Sequence, residues 1–255
     1  MTNHEALMRR AMHMAETARI HARPNPWVGA VVVCVDGTVY EGATQPQGGP
    51  HAEIVALNSA SEAGADVRGA TLYSTLEPCS HTGRTGPCTE AIISAGITRV
   101  ISAISDPDDH VAGSGFDALR AAGIEVITDV LTDDVSEQLA PYLHHRRTGR
   151  PFVMLKMATT LDARTSIPNG PRWITGEEAR VRVHQLRAES DAIVVGSGTI
   201  AGTILNSPFA MLTESPLVAL SCRAVAQYPQ QQKCSHAKCG TVRSTTFLIR
   251  LAAKV

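Results

Sequence analysis

The sequence predicts an α/β protein: a three-layer α/β/α domain over residues 1–148, then a partial α/β domain over 149–255 that turns irregular after residue 200. Apolar runs of strand length recur at 28–35, 70–76 and 99–104, and helix-like segments separate them. Strands that alternate with helices are covered on both faces, which is the three-layer arrangement. The same alternation reopens at Pro151, beyond a helix-like stretch with a basic end.

Residues 4–22 form the first expected helix, because Leu7, Ala11, Met14, Ala15 and Ala18 share one face at helical spacing. A loop with two prolines follows. Val28 to Val35 suits a buried strand, and Asp36-Gly37 is a hairpin signal leading into a second strand at Thr38 to Glu41. His51 opens a helix, Ala70 to Leu76 is a strand, Cys88 opens another helix, and Arg99 to Ile104 is a strand. A short helix from Gly115 to Ala122 and a strand from Ile124 to Thr128 complete the domain. Leu131 to Arg150 reads as one connecting helix. Its end, His144-His145-Arg146-Arg147, suits the negative pole of the helix dipole and is expected to be solvated.

In the second domain Phe152 to Lys156 is strand-like, and Thr175-Gly176-Glu177-Glu178 is a capping box for a helix reaching Ser190. Asp191 to Gly196 is a buried strand that runs into Gly196-Ser197-Gly198-Thr199, a glycine-rich turn and by itself a weak phosphate signal. Residues 206–240 have no clean periodicity. The run Cys234-Ser235-His236-Ala237-Lys238-Cys239 has no fourth metal ligand at a usual spacing, so the tail is expected to belong to no well-formed element.

The 255 residues carry a formal net charge of −1, with 44% hydrophobic and 18% charged side chains. A nucleic-acid binder would show a basic stripe, which this balance does not supply. No apolar run reaches the length of a membrane span, and the first residues lack the apolar core of a signal peptide. Six cysteines without such a signal point to a reducing compartment, the cytoplasm, where paired thiols serve metal or catalysis before disulfides. The expected partner is a small molecule, with no nucleic acid and no membrane, and a homo-oligomer is compatible with this composition.

The chemistry concentrates in His51-Ala52-Glu53, in Pro78-Cys79 and, eight residues further, in Cys88. A neutral imidazole and two thiolates hold zinc at three corners of a tetrahedron and leave the fourth for water. Glu53 is not needed as a ligand and is free to move protons, as hydrolytic removal of an amino group requires. Either half alone is weak, since a His-x-Glu tripeptide arises by chance and free cysteine is often just a small buried hydrophobe. Together they follow the zinc-deaminase signature of a histidine, a glutamate and a proline–cysteine, with a longer gap between the cysteines. Helix starts at His51 and Cys88 would also favour thiolate over thiol.

These residues resemble the bifunctional riboflavin-biosynthesis deaminase–reductase family. The likeness runs from residue 4 to 200. It rests on Pro24-Asn25-Pro26-Trp27-Val28-Gly29, His51-Ala52-Glu53, and Glu77-Pro78-Cys79-Ser80-His81 with Gly83-Arg84-Thr85 before Cys88. Further on come Asp106-Pro107, Val111-Ala112-Gly113, Leu161-Asp162-Ala163-Arg164, Trp173-Ile174-Thr175 and Gly198-Thr199. The resemblance implies a cytidine-deaminase-like zinc domain followed by part of a dihydrofolate-reductase-like domain. It also implies a substrate, a diaminopyrimidinone bearing a ribosylamino 5′-phosphate. The first domain would hydrolyse its ring amino group, and the second would reduce the ribose with NADPH. Zinc ligands would be His51, Cys79 and Cys88, and Glu53 the acid–base group. Substrate contacts would come from Asn25, Ser80, His81, Arg84, Asp106 and Arg187, and NADPH contacts from Ala158, Trp173 and Thr199. Asp108 departs from the asparagine expected after Asp106-Pro107, and adds negative charge near the substrate path.

After Thr199 the family continues with two acidic residues, a proline and an arginine, whereas this chain reads Ile200-Ala201-Gly202-Thr203-Ile204-Leu205-Asn206. A truncation or frameshift near residue 200 would explain that change, and an inactive reductase half is expected. Two other readings stay open: a fully bifunctional enzyme, and a non-catalytic remnant folded around zinc.

Overall fold

The computed structural model describes residues 3–83, 85–108, 111–165, 167, 170, 173–195 and 246–250. Contacts divide the chain into a first unit over Met1–Arg150 and a second over Pro151–Leu251.

The first unit opens with α1 (Asn3–Ala18), whose Met8, Ala11, Ala15 and Ala18 are buried. It is shorter than the expected helix over 4–22, because the chain turns before the prolines at 24 and 26, where helical backbone is disfavoured. β1 (Gly29–Val33) and β2 (Val39–Ala43) form the expected hairpin, with Val33 opposite Val39. Gly37 at the turn has φ +87°, a left-handed backbone that glycine adopts without a Cβ clash. Cys34 N–H bonds the Thr38 carbonyl at 2.9 Å, so β1 ends before Val35, which is exposed in the turn.

Next come α2 (Ala52–Glu62), β3 (Thr71–Leu76), α3 (Cys88–Ser94), β4 (Arg99–Ile104), α4 (Ser114–Ala121) and β5 (Glu125–Ile127). The five strands lie in the order β2-β1-β3-β4-β5. β1 is antiparallel to both of its neighbours, while β3, β4 and β5 run parallel. Parallel neighbours need crossovers, which α3 and α4 provide. Val31, Val32, Leu72, Val100 and Ile101 are fully buried because helices cover both faces.

Two glycines let those helices approach closely. A Cβ on Gly29 would come 1.9 Å from the Ala11 carbonyl oxygen in α1, and one on Gly42 2.3 Å from the Ala52 carbonyl oxygen in α2. The first turns of α2 and α3 and the loops after β3 and β4 meet at one end of the sheet. The carboxyl ends of parallel strands are the usual place for a ligand site.

The single connecting helix expected over 131–150 is two helices, α5 (Thr132–Gln138) and α6 (Ala140–Thr148), broken at Leu139. Pro141 explains the break: it has no N–H to continue the ladder, and sits instead in the first turn of α6. Leu139 leaves helical geometry at φ −93° and ψ 10°.

The second unit contains β6 (Phe152–Lys156), α7 (Glu177–Ala188), β7 (Ala192–Val195) and β8 (Thr246–Arg250). The expected capping box is not formed. The N-cap is Gly176, which has no side chain to offer, and the Thr175 carbonyl instead accepts from Arg180 Nη1 at 2.7 Å. β8 lies between β6 and β7, antiparallel to both. That corrects the expectation of a wholly irregular tail. The glycine-rich turn and the Cys234–Cys239 run lie outside the described residues. Among the described residues no helix is long and apolar enough to cross a membrane.

Candidate active site

Three elements deliver three ligand atoms. His51 is the N-cap of α2, Cys79 sits in the loop after β3, and Cys88 is the first residue of α3. His51 Nδ1 lies 3.5 Å from Cys79 Sγ and 3.3 Å from Cys88 Sγ. Zn–S bonds of about 2.3 Å and Zn–N bonds of about 2.0 Å at tetrahedral angles put nitrogen and sulfur about 3.5 Å apart. The donor set and its spacing therefore fit zinc. Among the described residues this is the cluster of His, Cys, Asp and Glu with ligand atoms close enough, all within 4.8 Å, to hold a metal.

The first turn of α3 turns its amides onto this cluster. Cys88 N–H points at Cys79 Sγ from 3.5 Å, and Thr89 N–H donates to the Cys79 carbonyl at 3.1 Å. The Cys88 thiol shares its proton with Cys79, which holds Cys79 well below the usual thiol range. The same bond, together with burial, pushes Cys88 up. Its hydrogen bond with Cys79 raises His51. Metal binding must displace the shared proton, since both sulfurs ligate as thiolates.

Glu53 lies in the first turn of α2 and is buried. Its Oε2 is 3.6 Å from Cys88 Sγ and its Oε1 3.4 Å from Ser74 Oγ, whose own proton goes to the Leu76 carbonyl at 2.8 Å. Burial raises its carboxyl above the ordinary range, which suits a group that must both take and return a proton.

A pocket opens over this cluster, and Asn25, His51, Glu53, Cys79, His81 and Asp106 are among the residues lining it. Ser80 is not in that lining; its hydroxyl pairs with Ser114 Oγ at 2.7 Å. Arg84 and Thr199 lie outside the described residues. Ala158, Trp173 and Arg187 belong to the second unit, where Trp173 is half exposed beneath the Arg180 guanidinium at 5.1 Å.

Glu77, Asp108, Tyr142 and Arg146 are among the lining residues that sequence did not pick out as site residues. Glu77 is buried and accepts five hydrogen bonds. Oε2 receives Ser105 Oγ at 2.6 Å and the amides of Asp106 and Gly113, both at 3.1 Å, while Oε1 receives the amides of Gly115 and Phe116. Tyr142 presents its hydroxyl 2.9 Å from both oxygens of Asp106. Asp108 forms an ion pair with Arg146 at 3.0 Å. This corrects the expectation that Arg146 is a solvated helix-end cation: its side chain is only 10% exposed. The aspartate at 108 was the available signal, because a carboxylate beside a pocket calls for a cation.

The cytidine and deoxycytidylate deaminase zinc-binding region matches residues 1–104, and the RibD C-terminal domain matches residues 151–213. Over 228 residues the chain is 41% identical to the riboflavin biosynthesis protein RibD of Escherichia coli, covering 89% of this chain and 60% of that one. Over most of its own length the chain is similar to RibD proteins. Among solved structures, a diaminohydroxyphosphoribosylaminopyrimidine deaminase/5-amino-6-(5-phosphoribosylamino)uracil reductase from Thermotoga maritima is similar at TM-score 0.74 and 42% identity. That likeness covers 78% of this chain and 57% of the other. Acinetobacter baumannii RibD is similar at TM-score 0.70 and 40% identity, covering 78% and 55%. The chain thus spans a little over half the length of the RibD proteins it matches.

Proposed function

We propose that the first unit is a zinc-dependent hydrolytic deaminase of riboflavin biosynthesis. In this reading it removes a ring amino group from a diaminopyrimidinone ribosylamino 5′-phosphate. One observation carries it: a buried proton-handling carboxyl stands beside three ligand atoms at tetrahedral zinc spacing, inside a pocket. A structural site has no use for that carboxyl.

His51, Cys79 and Cys88 would hold the zinc. When bound, it supplies Lewis acidity that brings the pKa of a water toward neutrality. Glu53 takes the proton as the water oxygen attacks the amino-bearing carbon, and returns it to the departing nitrogen. Water enters, ammonia leaves, and a ring carbonyl replaces the amine. Asn25, His81 and Asp106, which line the pocket, would orient the substrate. Ser80 and Arg84, in the inter-cysteine loop, are further candidates from the family pattern. A reducing compartment such as the cytoplasm suits the site, because oxidation of Cys79 and Cys88 would remove two ligands.

We assign the second unit no NADPH-dependent step, because the acidic pair that the family carries after Thr199 is missing from residues 200–206. The NADPH positions Ala158, Trp173 and Thr199, and the substrate position Arg187, are then inherited without function. Ammonia release from the phosphorylated pyrimidine tests the deaminase reading. Release should stop on chelation and return with zinc. Zinc bound in full with no release would favour the non-catalytic remnant.

A further inference from the structure

Several carboxyl groups line the deaminase pocket, and the proposed substrate carries a phosphate. Like charges repel across a poorly solvated wall, so each carboxyl needs an account. Glu77 is consumed by five donors. Asp106 is held by the Tyr142 hydroxyl and by the Asp108 amide at 3.0 Å. Glu53 serves the proton transfer.

Asp108 lines the same pocket. Its Oδ2 lies 3.0 Å from Arg146 Nη1, and the two side chains are only 17% and 10% exposed. Little water screens the pair. The Arg146 guanidinium also lies over the Tyr142 ring, 5.3 Å from its centroid, so one arginine braces both Asp108 and the tyrosine that holds Asp106. Among the described residues lining the pocket, Arg146 is the one lysine or arginine.

We propose that Arg146 and Asp108 act as one neutral unit in the pocket wall, and that Arg146 determines acceptance of the phosphate-bearing substrate by cancelling the charge of Asp108. The inference rests on the deaminase reading. Arg146 touches no reacting atom and acts through Asp108.

The test is deamination by the zinc-loaded full chain of the ribosylamino phosphate and of its dephosphorylated counterpart, at low and high salt. In Arg146→Met the KM for the phosphorylated substrate should rise at least about tenfold at low salt, with kcat within about threefold of the parent. Added salt should shrink that rise. The KM for the uncharged substrate should stay within about threefold, which a merely structural role would not explain. Arg146→Lys keeps the charge and should stay near the parent. The double variant Asp108→Asn/Arg146→Met carries neither charge and should recover the parent KM. Should Arg146→Met not fold, the lysine and double variants decide alone. Equal KM increases for both substrates, or no recovery in a folded double variant, would overturn the inference and leave the deaminase reading standing. No ammonia release from the parent chain would overturn both.

Discussion

At Glu53, burial and the neighbouring Cys79 sulfur both disfavour the ionised carboxyl, while His51 opposes them. An amide at this position keeps the shape and loses the proton. Glu53→Gln should therefore retain zinc and fold while turnover falls by roughly 10²–10⁴. Metal analysis, a thermal melt and ammonia release check this together, and a variant keeping most of its rate would remove Glu53 from the mechanism. Glu77 makes the complementary case, a carboxylate used for architecture. In Glu77→Gln the new NH₂ must face either the donors at Oε2 or those at Oε1, so at least two N–H groups lose their acceptor. We expect a loss of about 2–5 kcal/mol, since each buried unsatisfied donor costs about 1–3. Urea denaturation measures it, and amide exchange at Gly113, Gly115 and Phe116 should accelerate; an unchanged midpoint would refute the account. As a candidate site, His51, Cys79 and Cys88 were legible in the sequence because metal ligation admits few residue types, and Glu53 because it stands two residues after the histidine. Tyr142 and Arg146 were not, because each acts on a partner far along the chain, and a helix-end arginine is locally self-explanatory.

For the elements, apolar runs identified β1, β3 and β4, since strands covered on both faces leave no polar alternation to misread. The junction of α5 and α6 was lost in a continuous helical pattern, although Pro141 marks it. Close packing also depended on residues that show no pattern. Gly42 is one, where the backbone of α2 fills the space a side chain would take. Because α2 carries His51 and Glu53 at its start, Gly42→Ala should disturb the site and the core at once. Overpacking of this kind costs about 1–3 kcal/mol, and we expect weaker zinc binding alongside the lower melting temperature. Gly86→Ala, in open space, is the control and should stay within about 0.5 kcal/mol. Zinc affinity in Gly42→Ala equal to the parent would show that α2 adjusts without moving its first turn.

Across the whole molecule, the two units are expected to differ in what they can do. A reductase must hold nicotinamide, pyrophosphate and sugar in register, and a misplacement of about 1 Å can cost 10²-fold. We predict ammonia release without substrate-dependent oxidation of NADPH, and NADPH binding no tighter than about millimolar, near −4 kcal/mol. Fluorescence titration on the zinc-loaded 255-residue chain decides it. Micromolar binding with loss of NADPH absorbance would restore the bifunctional reading.

The placement of β8 sets an order of events during synthesis. Every strand of the first sheet lies before residue 128, so that unit can close while the ribosome is still translating. The second sheet cannot. Lys156 and Val195 both find their partner in Thr246, so β6 and β7 lack that partner until β8 emerges. At about 5–20 residues per second that wait lasts seconds. Nascent chains stalled before residue 246 would carry a closed first sheet and, in the second unit, two strands still lacking β8, a form that offers chaperones exposed edges to hold.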